Sequence, residues 1–407
     1  MQDRQLYAQI LGIESPWRVD RVELAPDQQE VHIYLEHKAD IAWQCPQCGH
    51  QCTLHDHQPE RRWRHLDTCQ YRTILHAAPP RSDCPEHGAL AVKLPWAEPS
   101  SRFTALFERL AIDWLRATSR QAAAELLHLS WDQVQAIMQR AVGRGLERRQ
   151  AEPIPYIGVD EKSFRKRHRY FTLVNDIERR RVLYVAEGRR QQSLDGFWPT
   201  LSDEQRRGIE AVAMDMWDPY VASVREHLPL SESKIVFDKF HIAQYLARAV
   251  DKVRREENKR LKQAGDERLV GSKYLWLRHP GSFSKKQWRA FEDLRESDLK
   301  TARAWALKET AMRLFDFRRL SVARKFFRRW YCWATHSRLE PMKAAARMMK
   351  HRLENILTYL KHGITNAVSE ALNAKIQWVK YTARGFRNQQ NFTTAIYFHC
   401  GGLDLAP

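Results

Sequence analysis

Apolar positions change period along this chain, and each change predicts a different kind of element. Residues about 17 to 43 alternate apolar and polar: Val19, Val22 and Leu24, then Val31, Ile33 and Leu35 beyond Ala25-Pro-Asp-Gln. That alternation predicts a β-hairpin. Between 102 and 150 the spacing becomes helical, with Phe103, Leu106, Phe107, Leu110, Ile112 and Leu115 in step. Ser119-Arg-Gln-Ala-Ala-Ala-Glu-Leu-Leu and Ser130-Trp-Asp-Gln-Val-Gln-Ala-Ile-Met then predict two further helices around a short turn. Ser130 is the expected N-cap of the second, with Gln133 at its capping-box position. A proline-marked polar linker, Glu147 to Pro155, leads into the apolar run Ile154 to Val159, which ends in Asp160.

The runs Tyr170 to Ile177 and Val182 to Ala186 complete a three-stranded meander, and Gln191 to Leu201 reads as helical. Two more apolar runs end in carboxylates, Ile209 to Asp215 and Lys234 to Asp238. Val221 to Leu228 reads as a helix capped by Asp218 with Pro219 at its first position. From about Ala243 to Leu360 the chain is helical and basic, and a last helix follows from Gly363 to Lys380.

With 407 residues, 43% of them hydrophobic, the chain can bury two or three domains. Its net charge of +18 calls for a polyanionic partner, nucleic acid before anionic membrane. No apolar run reaches the length of a membrane span, and Met1-Gln-Asp-Arg-Gln lacks a signal-peptide core. The expectation is a cytoplasmic protein with no membrane partner. In that reducing compartment the seven cysteines suit metal ligation or plain core better than disulfides.

Candidate chemistry sharpens this picture at three places. Cys45-Pro-Gln-Cys48-Gly and Cys84-Pro-Glu-His87-Gly are matching knuckles, whose tight turns aim their ligands at one tetrahedral Zn²⁺ in a structural site. Cys52, Cys69, His55 and His57 lie between them as substitute ligands. The helical pair near 119 to 140 reads as a helix-turn-helix that brings Trp131, Gln133, Gln135 and Arg140 near a DNA groove, or else as a packed pair with no DNA contact. Strands ending in Asp160, Asp215 and Asp238 at one sheet edge would form an oxygen-rich site for Mg²⁺. Two such ions can clamp the oxygens of an in-line phosphoryl displacement.

Lys252, Arg254, Arg255, Lys259, Arg260 and Lys262, with tryptophans at 276, 288, 305, 330 and 333, suit either a nucleic-acid grip or a solvated face over a helical core. In the last helix Glu370, Asn373 and Gln377 share a face, beside Arg384-Gly-Phe386-Arg387-Asn388.

Taken together, these motifs resemble the transposases of the ISL3 insertion-sequence family over nearly the whole chain. The resemblance rests on the paired knuckles, the helix-turn-helix, Ile-Gly-Val-Asp160-Glu, Met-Asp215-Met-Trp-Asp-Pro-Tyr220, Phe-Asp238-Lys-Phe-His241, Asn366-Ala-Val-Ser-Glu370-Ala-Leu-Asn373 and Ala-Arg-Gly-Phe-Arg-Asn-Gln-Gln-Asn-Phe392. It implies an α+β multidomain chain: a β-rich zinc module at 1–95, a helix-turn-helix domain at 96–150, an RNase H-like mixed-sheet DDE catalytic core at 151–242 and 361–400, and an all-α insertion at 243–360. It further implies that Asp160, Asp215 and Glu370 are catalytic and hold two Mg²⁺ ions, with Mn²⁺ able to substitute. Asp238 and His241 are expected beside those ligands, and Asn373, Lys380, Arg384 and Arg387 on DNA. Ser369-Glu-Ala-Leu departs from the family's usual Glu-Gly pair, and Ala suits a helix at least as well.

The implied activity is transposition in a bacterial cytoplasm, on double-stranded DNA of the element's ends and target, by a homodimer. Two rivals stand beside it. A zinc and helix-turn-helix regulator without catalysis needs no convergent carboxylates, and a non-transposing Mg²⁺ nuclease would not join a 3′-hydroxyl to a second DNA.

Overall fold

A computed structural model describes residues 3–165, 169–278, 280–365, 367–386 and 388–407. The expectations for Asn366 and Arg387 lie outside the described residues. The chain forms two units: Met1–Arg149 with Val379–His399 and Leu403–Pro407, and Gln150–Trp378 with Cys400–Gly402. The segment Val379–His399, which the reading from sequence joins to the catalytic core, therefore packs within the first unit.

The first unit opens with helix α1 (Asp3–Leu11) and strands β1 (Trp17–Ala25), β2 (Glu30–His37), β3 (Trp43–Gln44), β4 (Gln51–His57), β5 (Arg61–Arg64), β6 (Arg72–Ala77), β7 (Pro80–Cys84) and β8 (Gly88–Ala91). The alternating run at 17–37 is the antiparallel hairpin β1–β2, in one sheet of order β1-β2-β6-β5. Its inward positions Trp17, Val31, Ile33, Trp63 and Leu75 form the core with Trp96. A second sheet, β3-β4-β7-β8, carries the knuckles.

Helices α2 (Ala105–Ala117), α3 (Arg120–Leu127) and α4 (Trp131–Glu147) follow, and each starts on a side-chain cap. Thr104 accepts from Phe107 N, Ser119 from Ala122 N, and Ser130 forms the expected capping box with Gln133. The C-terminal residues pack on α4. There a Cβ on Gly145 would meet Leu403 Cβ at 2.7 Å, so a larger residue could not keep this approach.

The second unit is built on β9 (Tyr156–Arg165), β10 (Arg169–Asp176) and β11 (Arg181–Glu187), then α5 (Gln191–Asp195), α6 (Asp203–Gly208), β12 (Ala211–Met214), α7 (Asp218–His227) and β13 (Ile235–Phe237). The sheet runs β11-β10-β9-β12-β13: the meander is antiparallel, whereas β12 pairs parallel with both β9 and β13. β12 and β13 are buried throughout, as parallel strands covered on both faces must be.

Helices α8 (Lys239–Gln263), α9 (Lys273–Leu277), α10 (Lys285–Arg295), α11 (Lys300–Met312), α12 (Leu320–His336), α13 (Glu340–His351) and α14 (Leu353–His362) come next, before α15 (Ala367–Thr382) and α16 (Gln389–Cys400). Trp276 and Trp330 are core residues of this helical region, while Trp288 and Trp333 are exposed.

Two local expectations change. The run 191–201 divides into α5 and a 3₁₀ turn at Trp198–Thr200, because Gly196 and Pro199 interrupt it. Asp218 does not cap α7. It is the first helical residue, Trp217 holds the cap position without a side-chain bond, and the Asp218 carboxylate pairs with Arg352.

Candidate active site and metal centre

Cys45, Cys48, Cys84 and His87 meet at the tips of the β3–β4 and β7–β8 turns. The Cys48 and Cys84 sulfurs are 3.7 Å apart, and His87 Nδ1 lies 3.8 Å from Cys45 Sγ and 3.6 Å from Cys84 Sγ. Zn–S bonds of about 2.3 Å and Zn–N bonds of about 2.0 Å in a tetrahedron place ligand atoms roughly 3.5 to 3.8 Å apart, so these four fit one Zn²⁺. The contact with His87 draws the Cys84 thiol down to about 6, toward the thiolate that binds metal. Cys52 is buried nearby, but its sulfur donates to His50 O. Among the described residues Cys52, Cys69, His55 and His57 do not join the cluster.

The helix-turn-helix forms, with His128 in the left-handed conformation closing α3 before Ser130 starts α4. Trp131 is 43% exposed, and Gln133 is held in the capping box. Gln135 and Arg140 are not presented to solvent as the sequence suggests. Gln135 is 5% exposed and its Oε1 accepts from Arg120 Nη1 at 2.7 Å, while Arg140 pairs with the buried carboxylate of Glu108. A polar residue on an amphipathic helix reads as exposed until its partner, here fifteen residues away, is known.

In the second unit, parallel pairing sets Met214 beside Val159, so Asp160 and Asp215 follow on neighbouring strands. β9 does not end at Asp160 as the apolar run suggests but continues to Arg165, because its pairing with β10 extends past that point, while Asp215 lies just beyond the end of β12. Asp160 accepts from Glu161 N at 2.7 Å and from Asn373 Nδ2 at 2.7 Å. Burial, together with the nearby charge of Asp215, pushes its carboxyl up to about 6. Asp215 pairs with His241 Nε2 at 2.5 Å, a bond that raises the imidazole above its ordinary range.

Helix α15 is fastened over the sheet at three points. Ser369 Oγ accepts from Asn175 Nδ2 at 3.2 Å, Asn373 reaches Asp160, and Asn373 O accepts from Lys162 Nζ at 3.0 Å. Glu370 is exposed on the same helix, next to Ser369 and one turn before Asn373. Among the described residues its carboxylate does not fall within 4.8 Å of both aspartates. Asp238 is buried and caps α8, accepting from Phe240 N at 2.8 Å. Lys380 is half-buried at the end of α15, and Arg384 is exposed in the turn beyond it.

A cavity of about 270 Å³ opens on the two aspartates, lined also by Glu161, Trp217, His241, Gln244, Tyr245 and Arg248. Of these the sequence singles out only Asp160, Asp215 and His241. Gln244, Tyr245 and Arg248 follow His241 by three, four and seven residues, a spacing that puts them on its face of α8. Beside the cavity Arg189 stacks over Tyr170 and Trp217, at 4.2 and 4.8 Å, and pairs with Glu161 at 3.3 Å.

Asp195, Glu226 and His227 also approach one another, but Ser223 donates to Asp195, Gln191 donates to Glu226, and His227 Nδ1 meets Ser223 O. No described helix is long and apolar enough to cross a membrane.

Comparison with known proteins accounts for all three modules. A family model described as transposase, of the ISL3 group, matches residues 157–396. The helix-turn-helix domain of transposase family ISL3 matches 92–142, and the zinc-finger of transposase IS204/IS1001/IS1096/IS1165 matches 41–87. The chain is 28% identical to the transposase for insertion sequence element IS1001 of Bordetella parapertussis, over 96% of its length and 97% of that protein's. It is also 28% identical to the transposase for IS1557 of Mycobacterium tuberculosis, over 96% and 94%.

Proposed function

The chain belongs to the ISL3 family of transposases, and we propose that it binds the terminal inverted repeats of its insertion sequence, cleaves there, and joins the freed 3′-hydroxyls to target DNA. The observation that carries this reading is the meeting of Asp160 and Asp215 on the neighbouring strands β9 and β12, lining one cavity, with α15 tied to Asp160 through Asn373. A DNA-binding regulator has no use for that juxtaposition.

Asp160 on the first strand of the unit and Asp215 after the fourth support an RNase H-like DDE core, with α8 to α14 as its all-α insertion. The paired, partly buried carboxylates suit Mg²⁺, or Mn²⁺, and repel one another without it. Asp160 would be shared between two ions, Asp215 would complete one ligand set, and Glu370 the other. When bound, the ions supply charge to the attacking and leaving oxygens of an in-line displacement. The protein's own part is to hold the carboxylates: Asn373 and Glu161 N orient Asp160, and His241 orients Asp215. Asp238, spent on capping α8, stands outside the ligand set.

DNA-end recognition belongs to the helix-turn-helix, through Trp131 and Gln133 rather than Gln135 and Arg140, and Lys380, Arg384 and Arg387 are further DNA contacts. A mobile element has two ends, so a homodimer is the simplest assembly that supplies one active site to each.

The test is a strand-transfer assay with purified protein, Mg²⁺ or Mn²⁺, labelled duplex carrying an end of the element, and plasmid target. End-labelled product joined to plasmid is expected. Cleavage without joining would leave a nuclease, and binding without either reaction would leave a regulator.

A further inference from the structure

Helix α8 begins at the catalytic cavity and runs 25 residues away from it. Its first three turns supply His241, Gln244, Tyr245 and Arg248 to the cavity lining. Beyond them the sequence continues with Lys252, Arg255, Lys259 and Lys262. From His241 the steps 245, 248, 252, 255, 259 and 262 alternate four and three, so all these side chains stand on one face of the helix. The opposite face, with Ile242, Leu246, Val250, Val253 and Glu257, is buried.

The structure also sorts the basic residues of this region. Arg254 is buried on Asp251, Arg255 shares Asp251, and Arg260 reaches Glu257. Among the described residues Lys252, Lys259 and Lys262 are exposed with no carboxylate at ion-pair distance, and Glu256 is the exposed acid that flanks the row.

We infer that this stripe is a rail for the phosphate backbone of the duplex lying outside the element: the donor flank during cleavage and the target during joining. The inference rests on the transposase reading of the cavity. Arg248 to Lys262 spans about 21 Å at 1.5 Å per residue, roughly six base pairs of B-DNA. Lysine contacts to phosphate carry no base information. DNA outside the element differs at every insertion, so contacts of that kind suit it, whereas the element's own ends call for base readout.

The experiment uses the full chain with Lys252→Ala, Lys259→Ala and Lys262→Ala combined, on two duplexes. One ends flush at the cleavage position, and the other carries about twelve further base pairs of flank, twice the span of the rail. On the longer duplex the variant should bind roughly tenfold more weakly, and the slope of log affinity against log salt should flatten by about 2 to 3. On the flush duplex it should match the parent, and the triple Lys→Arg variant should bind both as the parent does. Equal losses on both duplexes, or no loss on either, would overturn the rail. If Asp160→Asn cleaves normally while the flank-dependent loss persists, the catalytic assignment fails and the rail stands. If Asp160→Asn is inactive while the lysine variant is normal on both duplexes, the reverse holds.

Discussion

Asn373 and Asp160, 213 residues apart in sequence, are joined by a 2.7 Å hydrogen bond from the amide Nδ2 to the carboxylate Oδ2. The bond fixes which way the Asp160 carboxylate points and ties α15 to β9. A hydrogen bond to a charged group is worth about 1.5 to 3 kcal/mol. Asn373→Ala should therefore slow strand transfer some tenfold to a hundredfold, raise the Mg²⁺ concentration needed, and leave end binding intact. Asn373→Asp should be worse, since it sets a third negative charge against Asp160. Metal titrations of strand transfer check both, and an unchanged metal requirement would make Asn373 a packing residue only.

Zinc removal should act on folding rather than chemistry. Cys84→Ser takes one ligand from a closed tetrahedral set, and the binding energy of such a site is folding energy. Elemental analysis is expected to find less than about half an equivalent of zinc in that variant, against one in the parent. End binding should fall with it. Cys52→Ser should keep its zinc, because the Cys52 sulfur bonds to His50 O outside the cluster.

How much of this could be read from the chain follows from the range of each interaction. The capping box of Ser130 and Gln133 spans three residues, and the two knuckles repeat one short turn, so both are legible directly. The end of β12 before Asp215 is legible as an apolar run, because a parallel strand buried on both faces carries few polar residues until it exits the sheet. By contrast, β9 runs on through Asp160 to Arg165 along β10, a pairing that the local pattern does not encode. Gln135, Arg140 and Asp218 are different, since their partners Arg120, Glu108 and Arg352 are set by packing that no local pattern encodes. The same limit hid the Asn373 bond. The row along α8 was in the sequence as periodicity, but only the ion pairs formed in the fold separate its exposed lysines from Arg254 and Arg260.

The helix-turn-helix prediction shifts accordingly. Arg140→Ala breaks a pair with the buried Glu108, which keeps Arg144 at 3.2 Å as its remaining cation. The expected result is a loss of roughly 2 kcal/mol or more of stability, seen as a lower melting temperature, with DNA binding lost through unfolding. Trp131→Ala removes an exposed ring and should weaken binding to the element's end roughly tenfold without lowering the melting temperature, as a lost direct contact would. Paired melting and binding curves separate the two outcomes.

His65 gives the first unit a pH dependence of known sign. Burial, and then the charge of Arg64, lower its pKa to about 4, and its Nδ1 lies 2.9 Å from Thr104 Oγ1 at the start of α2. The unfolded imidazole titrates near 6.5, so between these values the unfolded chain binds the extra proton. Stability is then full above about pH 6.5 and falls as pH drops toward 4, by up to roughly 3 kcal/mol. His65→Gln should flatten that part of the melting-temperature profile. A profile of the same slope in the variant would assign the acid sensitivity elsewhere.

The last prediction concerns the carboxylates themselves. Asp160→Asn, Asp215→Asn and Glu370→Gln each keep side-chain shape while removing a charge that two divalent ions require. Cleavage and strand transfer should fall at least a hundredfold in each, and binding to the element's end should survive because recognition is assigned to the zinc and helix-turn-helix modules. Asp238→Asn is the contrast. Its carboxylate accepts from Phe240 N at the head of α8, and Asn caps a helix about as well as Asp, so activity should stay within a few-fold of the parent. Glu370 is the most exposed of the three, and in this arrangement its carboxylate does not reach both aspartates within the span of one ion. It therefore has the most to gain from metal and DNA. Glu370→Gln should require more Mg²⁺ even for residual cleavage. Near-normal strand transfer by that variant would move the third ligand elsewhere, and an Asp238→Asn protein as inactive as Asp160→Asn would identify where.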